Sequence, residues 1–95
     1  MKSIIKGNDE HCFICKQRGF LNYGTEVHHM IFGTAKRKLA DQDGLVCNLC
    51  NYHHAMLHRR GDHKEELQKL AEQTWLDHYN KSIDDFIRRY GKNYL

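Results

Sequence analysis

The sequence predicts a small α+β domain organised round bound zinc: a strand–strand–helix core followed by two carboxy-terminal helices. Three observations carry that expectation. The cysteines stand in two C-x2-C pairs, Cys12/Cys15 and Cys47/Cys50. Four of the histidines, His28, His29, His54 and His58, fall on a β-prone stretch and on a helix-prone one. From Asp62 onward the apolar residues recur at helical spacing.

The 95 residues read as one domain. A domain of that size buries only about two-thirds of its unfolded surface, so its apolar core is marginal and a metal is a common supplement. No secretory signal is legible in residues 1–7, where polar residues interrupt the apolar ones. An intracellular, reducing compartment is therefore expected, in which paired cysteines bind metal rather than each other. No run approaches the roughly 18 apolar residues of a membrane span, so no membrane partner is expected. The net charge is +3 and uneven: residues 1–61 hold nine Lys/Arg against five Asp/Glu, residues 62–95 six against seven. The ligand-rich part is thus the basic part, which suits a polyanion. An ordinary solvated surface gives the same imbalance, so charge alone decides nothing.

In chain order, residues 9–24 form a loop-rich zinc knuckle round Cys12-Phe13-Ile14-Cys15. Residues 25–32 (TEVHHMIF) are β-branched and aromatic and favour a strand. Residues 33–38 are a basic connection with at most a short helical turn to Ala40. Asp43-Gly44 signals a turn, and residues 45–49 suit a second strand. Residues 51–60 read as a helix ended by Gly61, with His54 and His58 four apart on one face. Residues 25–61 are therefore the core, and residues 62–95 a helical brace. In the brace, Asp62-x-x-Glu65 and Ser82-x-x-Asp85 resemble capping boxes. Leu67, Leu70, Ala71 and Trp75, then Ile83, Phe86, Ile87 and Tyr90, are expected to face the core.

The ligands must then be sorted. A structural Zn²⁺ takes four Cys or His donors in a closed tetrahedron. Two residues between sulfurs let both point inward on a tight turn, so Cys12 and Cys15 form one half. His28, separated from Cys15 by twelve residues, imitates the third ligand of a Cys2His2 finger. The fourth position then holds Phe32, Gly33 or Thr34, none of which can serve, and the finger reading fails. The second half is either Cys47 with Cys50 or Cys50 with His53, at equal spacing. In the latter case Cys47 is a buried hydrophobe. The remaining histidines exceed what one tetrahedron accepts. Three His round a divalent metal, leaving positions for water and substrate, is the composition of a catalytic site. A fourth His beside it can act as general base near neutral pH. Alternation along the first strand lets one of His28 and His29 reach the metal while the other addresses a water. The bland alternative makes all of them surface, core or redundant histidines.

Val27-His28-His29-Met30-Ile31, Gly44-Leu45-Val46 leading to Cys50, and a helix bearing His54 and His58 resemble an HNH (ββα-metal) endonuclease, with its treble-clef-like core. A likeness over nearly the whole chain is to the small phage-type proteins of the recombination-enhancing, RecA-dependent nuclease family. It rests on Cys12-x2-Cys15, on His28-His29-x-Ile31-Phe32-Gly33-Thr34-Ala35-x-Arg37-Lys38, on Leu49-Cys50-x2-His53-His54 and on Phe86-x4-Gly91-Lys92-Asn93-Tyr94-Leu95. That register implies Cys12, Cys15, Cys50 and His53 for structural zinc. It implies His29 as the general base and His28 and His54 as catalytic-metal ligands, completed by His58 at the HNH spacing. The closer group places a His just before the long helix, where this chain has His63, the alternative last ligand. The middle Asn of the HNH pattern is replaced here by Asp43-Gly44, which touches the loop's rigidity more than the chemistry.

The resemblance implies metal-dependent hydrolysis of DNA, in phage recombination or DNA processing in the cytoplasm of a bacterial host, with 5′-phosphate and 3′-hydroxyl ends. Lys36, Arg37 and Lys38, with Arg59 and Arg60, are candidate contacts to the DNA backbone. Mg²⁺, Mn²⁺, Ni²⁺ and Zn²⁺ are all candidates for the catalytic metal. A recombinase filament or a second copy of the chain would extend its small surface. The competing expectation is a non-catalytic zinc module that binds nucleic acid or protein and leaves the histidines idle.

Overall fold

The computed structural model describes residues 3–95. Seven elements follow one another: α1 (Phe13–Gln17), β1 (Thr25–His29), α2 (Lys36–Asp43), β2 (Val46–Cys50), α3 (Asn51–Arg60), α4 (Lys64–Tyr79) and α5 (Ile83–Tyr90). They make a small α+β fold with a two-stranded antiparallel sheet. The register sets Thr25 opposite Cys50, His28 opposite Cys47 and His29 opposite Val46. No helix among the described residues is long and apolar enough to cross a membrane.

β1 stops three residues short of the predicted end, at His29. Met30 and Ile31 are both fully buried, which a strand with one covered face cannot provide for consecutive residues. The chain therefore leaves the sheet there, keeping one last bond from the Met30 amide to the Leu45 carbonyl at 2.9 Å. The basic connection is not a loop: Lys36–Asp43 is an eight-residue helix. It opens from Ala35 in the left-handed region, without a side-chain cap, which is why no start signal was legible. Gly44 ends it at φ 80°, and β2 follows one residue later than predicted. The knuckle likewise contains a short helix, α1, which Cys12 caps with its own sulfur by accepting from the Cys15 amide.

β2 runs directly into α3, with Cys50 as last strand residue and N-cap. α3 therefore folds back over both strands. Ile14, Met30, Ile31, Leu45, Leu49 and Leu57 join Leu67, Ala71, Trp75, Phe86 and Tyr90 in one buried cluster. Each fully buried Leu, Ile or Phe there contributes about 1.5–3 kcal/mol. Leu70, Ile83 and Ile87 are exposed by 36–41%, contrary to expectation. The two brace helices lie against the core on narrow stripes, so the flanks of each apolar face stay in water. The Ser82–Asp85 capping box is present in full. Its supposed counterpart is not: α4 starts from His63 in the left-handed region, and Asp62 pairs with Arg60 at 2.5 Å.

Asp43, read only as part of a turn, fastens the brace to the core. Its buried carboxylate accepts from Trp75 Nε1 at 2.9 Å, Tyr90 Oη at 2.7 Å and Arg89 Nε at 2.6 Å. The Tyr79 hydroxyl donates to its carbonyl at 2.9 Å. Burial and this carboxylate drive the Tyr90 phenol far above its ordinary range, so it stays a donor.

Candidate metal centres

Cys12, Cys15, Cys50 and His53 bring their ligand atoms within 4.8 Å of one another, and the group could hold a structural metal such as zinc. α1 and its cap supply one pair and the β2–α3 junction the other. Cys50 Sγ lies 3.3 Å from His53 Nδ1, Cys15 Sγ lies 3.4 Å from it, and Cys12 Sγ 3.6 Å. The Cys15 and Cys50 sulfurs are 3.9 Å apart. A tetrahedron with Zn–S of about 2.3 Å and Zn–N of about 2.0 Å has S···S edges of about 3.8 Å and S···N edges of about 3.5 Å. The observed edges scatter round those values, so the donors fit the ion. Burial opposes ionisation of Cys12, but the Cys15 and Cys50 amides and their thiols outweigh it and lower its pKa. Burial, together with the neighbouring sulfurs, pushes Cys15 up to about 11. Only a dication compensates several thiolates at once, as zinc does when it displaces their protons.

Cys47 lies outside this group. It is 1% exposed on β2, and burial pushes its thiol up to about 12. It is a small core hydrophobe.

The second group is His28, His54 and His58, whose ligand atoms also lie within 4.8 Å of one another. His28 comes from β1 and the other two from successive turns of α3. Ring centroids are 5.2 Å apart for His28–His54, 5.7 Å for His28–His58 and 5.0 Å for His54–His58. They line a cavity of about 190 Å³ with Val27, His29 and Arg37. His28 Nε2 is buried without a hydrogen-bond partner among the described residues, an orphan that a metal would satisfy. Burial, then the nearby His54 and His58, lowers the His28 pKa to about 3, which keeps the imidazole neutral and fit to ligate. Burial and His54 lower His58 as well. Glu26 Oε1 holds His54 Nδ1 at 2.7 Å and leaves Nε2 for a metal, the usual carboxylate–histidine arrangement behind a ligand. The donor set therefore fits a divalent ion with open positions.

His29 lines the same cavity but is not in the ligand group. Its Nε2 lies 2.9 Å from Asp41 Oδ1, and its Nδ1 accepts from Arg37 Nε at 3.3 Å. His63 stands apart from the three-histidine group: its ring faces His53 at 5.9 Å and its Nδ1 meets the Glu66 carboxylate. Of the basic candidates, Arg37 and Lys38 line a cleft of about 520 Å³ with His29 and Asp41. Lys36 turns to Tyr94, Arg60 is paired with Asp62, and Arg59 is exposed at the end of α3.

A third close group, Asp9, Glu10 and His11, is already an ion-pair network. Lys16 Nζ sits 2.5 Å from Asp9 and His11 Nδ1 2.9 Å from it. Glu26 and Asp41 were missed by sequence reasoning. Glu26 shares a strand face with His28 two residues on, a signal that was there to use. Asp41 meets His29 only because α2 is a helix. No protein-family model, no curated protein and no solved structure matches this chain.

Proposed function

We propose that the chain is a metal-dependent endonuclease of the HNH type that hydrolyses DNA phosphodiester bonds. The observation that carries this reading is the convergence of His28, His54 and His58 on a cavity that a fourth histidine, His29, also lines. In this reading His28, His54 and His58 hold the divalent ion, Mg²⁺, Mn²⁺, Ni²⁺ or Zn²⁺. When bound it supplies Lewis-acid stabilisation of the charge that develops on phosphate and leaving oxygens.

The rest falls to the side chains. Asp41 accepts from His29 Nε2–H, which fixes the tautomer and leaves the lone pair on Nδ1. Nδ1 takes the proton of the attacking water; its oxygen bonds to phosphorus, the P–O3′ bond breaks, and the 3′ oxygen is protonated from solvent. The products carry 5′-phosphate and 3′-hydroxyl ends. Arg37, which donates to Nδ1 at 3.3 Å in the free protein, turns to the phosphate beside the nucleophile when DNA binds and so frees that lone pair for the water. Lys38 and Arg59 extend the contact to flanking phosphates. The Cys12, Cys15, Cys50 and His53 group keeps α3 seated so that His54 and His58 face His28. The reading carries with it phage recombination or DNA processing in a bacterial cytoplasm, with a recombinase filament or a second copy as partner.

The test is nicking of supercoiled plasmid with Mg²⁺, Mn²⁺, Ni²⁺ or no added metal, wild type beside His29→Ala, after both are matched for folding and zinc content. Metal-dependent nicking that vanishes in the variant is expected. Equal nicking by both removes His29 as base. No cleavage by wild type of supercoiled, linear, single-stranded or recombinase-coated DNA leaves a non-catalytic zinc module.

A further inference from the structure

Beyond the cavity, on the far side of Phe32, three ammonium groups converge. Lys36, Lys64 and Lys92 line a cleft of about 560 Å³ together with Phe32, Glu65 and Tyr94. These lysines come from α2, from α4 and from the tail after α5, so the fold, not a local run, gathers them. Lys36 Nζ lies 5.9 Å from the Tyr94 ring centroid and donates to its hydroxyl at 3.5 Å. Lys92 Nζ lies 5.1 Å from the same ring, and Lys64 Nζ 5.8 Å from Phe32. The one acidic neighbour, Glu65, is engaged by Lys69 at 3.2 Å. None of the three lysines has a carboxylate within ion-pair distance among the described residues.

The tail that carries Lys92 and Tyr94 is held in place. The Tyr94 amide donates to Glu72 Oε1 at 2.6 Å, and Glu72 is fully buried. Phe32 in turn touches the three-histidine group, edge-on to His28 at 5.8 Å and to His58 at 5.2 Å. One aromatic ring therefore separates the cleft from the cavity. On α2, Lys36 and Arg37 are about 100° apart round the helix axis, so one faces this cleft and the other faces His29.

We infer that the Lys36/Lys64/Lys92 cleft is a second DNA-backbone site, which holds the phosphates flanking the scissile one. It rests on the nuclease reading for its role, though not for its chemistry. The ring faces of Phe32 and Tyr94 are taken up by ammonium groups, so they position the lysines and do not stack bases. The cleft therefore reads phosphate and not sequence.

The test measures binding apart from cleavage. Fluorescence anisotropy with labelled DNA of several sequences is recorded across a salt series in the His29→Ala background. The triple variant Lys36→Ala/Lys64→Ala/Lys92→Ala is compared with the triple Lys6→Ala/Lys81→Ala/Arg88→Ala, which removes equal charge outside the cleft. The cleft variant is expected to weaken binding roughly 10- to 100-fold at physiological salt, alike for every sequence. Its salt slope should be shallower by about 0.7 to 0.9 for every phosphate that the cleft no longer neutralises. The control triple stays close to the parent. Equal weakening in both triples, or weakening in neither, overturns the inference. In the cleaving protein the cleft variant should raise KM more than it lowers kcat. If wild type does not nick DNA but the cleft variant alone binds more weakly, the cleft stands and the nuclease reading falls. If wild type nicks and the cleft variant binds as its parent does, the reverse holds.

Discussion

His53 and His54 are neighbours on α3, yet they serve two centres of opposite character. A residue step turns about 100° round a helix, so His53 faces the sulfurs of Cys12, Cys15 and Cys50 while His54 faces His28 and His58. The first centre has four donors at tetrahedral edges and no position left over. The second has three imidazoles, a cavity of about 190 Å³ and a fourth histidine at its wall. Donor number and softness set the two apart: the first group could close round a structural ion such as zinc, and the second, in the proposed reading, stays open to a substrate.

The comparison breaks most visibly at the closed centre. Structural zinc is worth about 10–16 kcal/mol in small modules, as much as the whole stability of a typical domain. Cys15→Ser is expected to lose bound zinc and the cooperative thermal transition, whereas His58→Ala keeps both. Zinc analysis beside a calorimetric melt decides it; a Cys15→Ser protein that melts like wild type removes the structural role. Next in size is the clasp between core and brace. Asp43→Ala leaves Arg89, Trp75 and Tyr90 without their buried acceptor and should cost about 3–5 kcal/mol, read as a lowered melting temperature at unchanged zinc content. If zinc falls too, the brace and the closed centre are one cooperative unit.

A smaller effect probes the open centre alone. Glu26→Gln weakens the grip on His54 Nδ1 and should lower affinity for Ni²⁺ or Mn²⁺ there by about 10- to 100-fold, while the closed centre keeps its zinc. Titration calorimetry on protein stripped of exchangeable metal measures this. An unchanged isotherm takes Glu26 out of the site.

What was legible in the sequence follows from what is local. C-x2-C, the β-branched run into His28, the His54–His58 spacing and the Ser82 box each sit within one turn or strand, and each emerges in the structure. The choice between Cys47 and His53 was not local. Both keep the required spacing from Cys50, and only the direction of β2 turns Cys47 into the core. α2 escaped because its start lacks a capping side chain, and the residues it positions, Asp41 and Asp43, escaped with it. Asp43 reads as a turn-forming residue because Gly44 follows; its partners lie 32 to 47 positions away. His63 shows the converse error, a histidine at a plausible place that the left-handed start of α4 points toward His53 instead.

The smallest prediction separates the centres by their response to acid. Burial, with His54 and His58 nearby, holds His28 neutral in the folded protein down to about pH 3. The unfolded chain takes up that proton near 6.5. Between those values the unfolded state binds the extra proton, so stability falls as pH falls and is regained on returning above 6.5. From pH 6.5 to 5.5 the loss assigned to His28 is about 1 kcal/mol, by linkage. His53 is also lowered, by burial first and then by Arg18, and His58 by burial and then His54, so wild type alone cannot separate the three contributions. His28→Leu isolates the share of His28, because it keeps the closed centre and leaves the His53 and His58 contributions in place. Urea melts of both proteins, freed of exchangeable metal, should show the wild-type curve steeper in that window and the two converging in slope above it. Parallel curves would mean that His28 is solvated in solution, and the open centre would then lose the buried ligand on which its geometry depends.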